Sequence, residues 1–104
     1  MRKRTLVSIV FFTVLAAACS SGPPPREIAE ARLAVQDAKN ANADQIAARD
    51  YDAALIHLRM AENTWSASKD AAAAAHWARM AEATARLAHY RAETRSAEEA
   101  LRRE

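Results

Sequence analysis

The sequence predicts an all-α fold, an antiparallel three-helix bundle with a long C-terminal helix, preceded by a cleaved lipoprotein signal peptide. Three observations predict it. Ala dominates the chain after residue 25, and Ala is the residue that loses least on entering a helix. The single Gly, Gly22, and the three Pro, Pro23 to Pro25, all precede that point, so the strongest helix breakers are absent from everything that follows. Apolar residues then recur at three- and four-residue steps, the period of an amphipathic helix.

The leader comes first. Arg2, Lys3 and Arg4 form a basic segment, Leu6 to Leu15 an apolar one, and Ala16-Ala17-Ala18 a small-residue cleavage site, in the order of a secretory signal over residues 1–18. A segment of ten residues is too short to span a hydrocarbon layer of about 30 Å, so it reads as an address. The run Leu15-Ala16-Ala17-Ala18-Cys19 resembles the lipobox of bacterial lipoproteins, with Ala16 where that motif favours Leu. The resemblance implies cleavage before Cys19, a thioether-linked diacylglyceryl group on its sulfur and a third acyl chain on its new amine. Two or more chains hold a protein on a bilayer far more firmly than one, because each buried methylene contributes about 0.8 kcal/mol. Ser20 stands where Asp would signal inner-membrane retention in such lipoproteins, so the expected location is the outer membrane, on its periplasmic face.

Residues 19–25 read as the lipidated Cys and a tether. Pro-Pro-Pro favours the extended polyproline conformation, and at about 3.1 Å per residue the tether stands the folded part off by roughly 20 Å.

The helical domain is placed at residues 26–104, with helices over about 26–42, 44–68 and 70–103. In the first, Ile28, Ala31, Val35, Ala38 and Asn42 share one face, and Glu27 and Glu30 suit the positive end of the helix. Asn40, Asn42 and Asp44 mark a turn. The second helix is capped by Asp44 or Asp50, and its face runs through Tyr51, Ala54, Leu55, Leu58, Ala61, Glu62 and Trp65, widened by Ile56 and Met60. Ser66, Ser68 and Asp70 mark the next turn, with Asp70 as cap. In the third, Met80, Ala83, Leu87, Tyr90, Thr94, Ala97 and Leu101 alternate three- and four-residue steps as a heptad seam. Short turns make successive helices antiparallel, which puts the start of the first, the end of the second and the start of the third together near the anchor.

Composition narrows the function. The net charge of +2 includes the three leader cations; without them 12 basic side chains face 13 acidic ones, which is no footprint for nucleic acid. No nucleophile elbow, Gly-rich turn or spaced carboxylate pair points to catalysis, and no cofactor is implied. No two of His57, His76 and His89 stand three or four residues apart on one helix face, and His89 shares a face only with Glu93, so no metal site is expected. Trp65 and Trp77 flank the second turn and read as large side chains filling the space that Ala leaves open. Arg102 and Arg103 suit the negative end of the last helix.

Two stretches, Tyr51-Asp-Ala-Ala-Leu-Ile-His-Leu-Arg-Met-Ala-Glu and Lys69-Asp-Ala-Ala-Ala-Ala-Ala-His-Trp-Ala-Arg-Met-Ala-Glu-Ala, resemble a family of short Ala-rich bacterial lipoproteins known as domain of unknown function 4398. The similarity covers about residues 26–93. It implies a helical domain behind a lipobox and service in the cell envelope, where some members carry a peptidoglycan-binding domain. The Asp-Tyr-x-x-Ala-Leu rhythm is also similar to one tetratricopeptide unit, but a lone unit has no stacked neighbours.

The functional expectation is a non-catalytic envelope scaffold or accessory protein that works through helix contacts, with the lipid on Cys19 as its membrane link. An envelope protein or a peptidoglycan-associated component is the expected partner, and Leu87, Tyr90, Thr94, Ala97 and Leu101 the expected partner surface. One alternative is a self-associating coiled-coil structural lipoprotein, similar to murein lipoprotein, although the final Arg102-Arg103-Glu104 lacks the Lys which that protein links to peptidoglycan. Another is a soluble periplasmic helical protein, if Cys19 is not lipidated.

Overall fold

The structure, a computed structural model, describes residues 22–104 and is all-α. Among the described residues four helices follow one another: α1 (Arg26–Asn40), α2 (Ala43–Ile46), α3 (Ala48–Ser68) and α4 (Ala71–Arg103). Three of them are long and form the antiparallel bundle, so the all-α class and the long C-terminal helix stand. The leader and Cys19 lie outside the described residues.

The expected count of three helices is corrected at the first turn. α1 stops at Asn40 rather than residue 42, because Asn42 takes the left-handed conformation, φ 61°, that Asn tolerates better than most residues. One isolated turn, α2, follows, and Ala47 breaks the helical path with φ −129° and ψ 52° before α3 begins. Neither Asp44 nor Asp50 caps α3; the capping position is Ala47, without a side-chain hydrogen bond. Asp50 lies in the first turn instead, and its carboxylate accepts from Arg91 at 2.6 Å.

The second turn is as the sequence predicts, with one addition. The Asp70 carboxylate accepts from the backbone N–H of Ala73 at 3.1 Å and so satisfies one of the free donors at the start of α4. Lys69 ends α3 in the left-handed region, φ 55°, and its ammonium lies 5.0 Å from the centre of the Trp65 ring.

The core is built mainly from methyl groups. α1 contributes Ile28, Ala31, Val35 and Ala38, and α3 contributes Tyr51, Ala54, Leu58 and Ala61, the faces read from the sequence. α4 buries a different set from the seam expected of it: Ala74, Ala78, Ala81, Ala85, Ala88 and Ala92, at alternating four- and three-residue steps. Met80 and Leu87 are instead 37 % and 41 % exposed. The larger side chains turn outward because small residues let helix axes approach toward the short end of the usual 8–10 Å range. Among the described residues no large side chain is fully enclosed, and Trp65 and Trp77 pack half-buried against the cluster, as space-fillers at its edge.

α1 and α4 run in the same direction with α3 antiparallel to both, as the register of contacts shows. Arg32 donates to Glu62 at 2.8 Å, Arg91 reaches Asp50, and His57 lies 3.3 Å from Thr84. The start of α1, the end of α3 and the start of α4 therefore share one end of the bundle.

Candidate functional site

The distal half of α4 is the surface that the fold leaves free. Ala92 is its last buried residue, and every residue from Glu93 to Glu104 is exposed. The last side chain of α4 tied to the rest of the fold is Arg95, which donates to the Ile46 carbonyl of α2. Beyond it eight helical residues, 96–103, project by about 12 Å.

Sequence reasoning singled out five residues on this surface, and all five are exposed: Leu87, Tyr90, Thr94, Ala97 and Leu101. Tyr90 and Leu101 leave 68 % and 71 % of their surface in solvent. Apolar side chains so open usually mark a contact when several lie together. The same stripe continues below the overhang through Met80, and α3 adds Ile56 and Met60. These last two were missed as a surface, because the sequence pattern widened the core face of α3 to include them.

The cleavage-site residues Leu15, Ala16, Ala17 and Ala18 and the lipid-attachment residue Cys19 lie outside the described residues. The three histidines do not converge. His57 stacks on Trp77 at 6.0 Å between ring centres, His76 meets the same indole edge-on at 5.6 Å, and His89 pairs with Glu93 at 2.8 Å. Among the described residues no three His, Cys, Asp or Glu side chains come together as metal ligands. None of the described polar or charged side chains is buried, so no acid, base or nucleophile among them is set in a water-excluded environment.

The depressions in the surface are open grooves. One of them, about 240 Å³, lies between α1 and α4 and is lined by Glu30, Leu33, Ala34, Asp37, Glu82, Arg86 and His89. Arg86 pairs with Glu82 and His89 with Glu93, each one turn away, and Asp37 is exposed to solvent. That arrangement suits a solvated helix face better than an enclosed ligand pocket. No described helix is long and apolar enough to cross a membrane.

Comparison of the chain with family models, with curated proteins and with solved structures finds no match in any of the three.

Proposed function

We propose that this chain is a lipid-anchored protein of the bacterial outer membrane, facing the periplasm, that acts without catalysis as an envelope scaffold or accessory protein. The observation that carries the reading is the Leu15-Ala-Ala-Ala-Cys19 run, with its basic and apolar approach and Pro-rich exit. The resemblance of residues 26–93 to the Ala-rich lipoprotein family supports the same address.

The geometry supports action by contact. The start of α1 is joined to the tether, and α4 runs parallel to α1, so its exposed distal stripe lies at the end remote from the proposed anchor. A scaffold fixed at one end and presenting an apolar helix face at the other can engage an envelope protein or a peptidoglycan-associated component at a set distance from the membrane. The helix-in-groove mode, with anchors at three- and four-residue steps, is the recognition that Leu87, Tyr90, Thr94 and Leu101 suit.

The test is fractionation of cells making the native chain or Cys19→Ser. The native chain is expected in the outer-membrane fraction and the variant outside it, because without the acyl chains neither the tether nor the bundle has an apolar segment to hold a bilayer. Equal membrane recovery of both would overturn the anchor. Recovery of the native chain in the soluble periplasmic fraction would favour the unlipidated reading.

A further inference from the structure

The unpartnered apolar stripe is not confined to the overhang. His57 and Thr84 face one another across α3 and α4. At 100° per residue, Ala53 and Met60 stand within about 60° of His57 around α3, and Met80 and Leu87 within about 60° of Thr84 around α4. They lie on the side turned away from α1, since Glu62, which meets Arg32, and Glu82, which lines the groove with Leu33, fall on the other side of those helices. The bundle is thus covered by α1 on one face of the α3–α4 hairpin and by nothing in the described chain on the other. Along α4 the stripe from Met80 to Ala97 is uncharged, with Arg79 at one edge and Arg91, paired with Asp50, at the other.

We infer that this face is covered by a second copy of the chain, with the two α4 helices antiparallel about a two-fold axis at Leu87. The register carries the choice. Leu87 is midway between Ala73 and Leu101, so antiparallel pairing centred there sets the exposed Leu101 of each copy against the Ala-only start of the other's α4. The same register places Tyr90 against Thr84, Met80 against Thr94, Ala97 against Trp77, and Glu98 against His76. Large meets small on either side of the central Leu87 pair, the condition for close packing. Parallel pairing would set Tyr90 on Tyr90 and Ala97 on Ala97, crowding one level and leaving a void at another.

The size also fits. Two helices about 10 Å apart and a stripe of 28 residues make a face about 40 Å long, offering on the order of 700 Å² per copy, near the 800 Å² per partner of a stable interface. Each copy's overhang then lies on the other's bundle instead of in water. The inference rests on the proposed function only in using the distal face of α4 for contact, and it stands whether or not Cys19 carries lipid.

The experiment is disulfide trapping of the full chain in cells, with Leu87→Cys and Leu101→Cys as single variants and the unsubstituted chain as reference. Both positions are exposed, so neither change disturbs the core. A homodimer band on a non-reducing gel is expected for L87C and none above reference for L101C, whose two copies lie about 40 Å apart in this register. Cells making Met80→Cys and Thr94→Cys chains together should give a mixed dimer that neither gives alone. Trapping of both single variants would show a parallel coiled coil instead, and trapping of neither, or of L87C only to a different protein, would likewise overturn the antiparallel dimer. Loss of membrane recovery with the L87C band intact would sink the anchor and leave the dimer standing.

Discussion

Ala81 and Ala29 show how position decides what an alanine does in this chain. Ala81 is wholly enclosed at the crossing of α4 with its neighbours, whereas Ala29 on α1 faces solvent. Replacing Ala81 by Leu forces three methylene-sized groups into a seam set by methyl groups, and overpacking of that kind costs about 1–3 kcal/mol. Ala29→Leu should change stability by less than about 0.5 kcal/mol, since the two residues differ little in helix propensity. Denaturant unfolding of the two variants reads the contrast directly; equal midpoints would show that the Ala seam is not tightly packed. The seam was hard to recognise because Ala occurs on every face of α4. A pattern search is drawn to Met80, Leu87 and Leu101, and a helix that packs through its smallest side chains reverses that weighting.

At the scale of elements, the boundaries that could be read were those with chemistry of their own. Asp70 caps α4 as its position predicts, and Asn40 to Asn42 form a turn. The break at Ala47 carries no such signal, since nothing in Gln45-Ile46-Ala47-Ala48 disfavours helix. It is a consequence of packing: Ala43 and Ala47 are buried, and Arg95 reaches the Ile46 carbonyl left free by the break. Lys69 is likewise silent in sequence, because the left-handed end of a helix is usually marked by Gly. A non-Gly residue there costs roughly 1–2 kcal/mol, while Gly loses about 0.5–1 kcal/mol more backbone entropy on folding. Lys69→Gly should therefore raise the stability of the bundle by up to about 1 kcal/mol, less the lost contact with Trp65. A lower thermal midpoint in the variant would show that the Lys69–Trp65 contact outweighs the backbone strain.

The whole molecule combines a proposed address, read from the sequence, with an exposed apolar face whose full extent only the fold defines. The helical class followed from composition, and the core faces of α1 and α3 followed from period, because there Ile28, Val35, Tyr51 and Leu58 stand out against polar neighbours. The outer face of the α3–α4 hairpin did not follow, since its residues become a surface only once α1 is seen to cover the opposite side. The parallel course of α1 and α4 sets the proposed anchor and the overhang at opposite ends of each chain. The proposed placement at a membrane depends on the chemistry of Cys19. Mass spectrometry of the N-terminal peptide of the chain purified from membranes measures it most directly. A peptide beginning at Cys19 with the added mass of a diacylglyceryl group and an amide-linked acyl chain is the predicted result; an unmodified Cys19, or a chain that still begins at Met1, would contradict it.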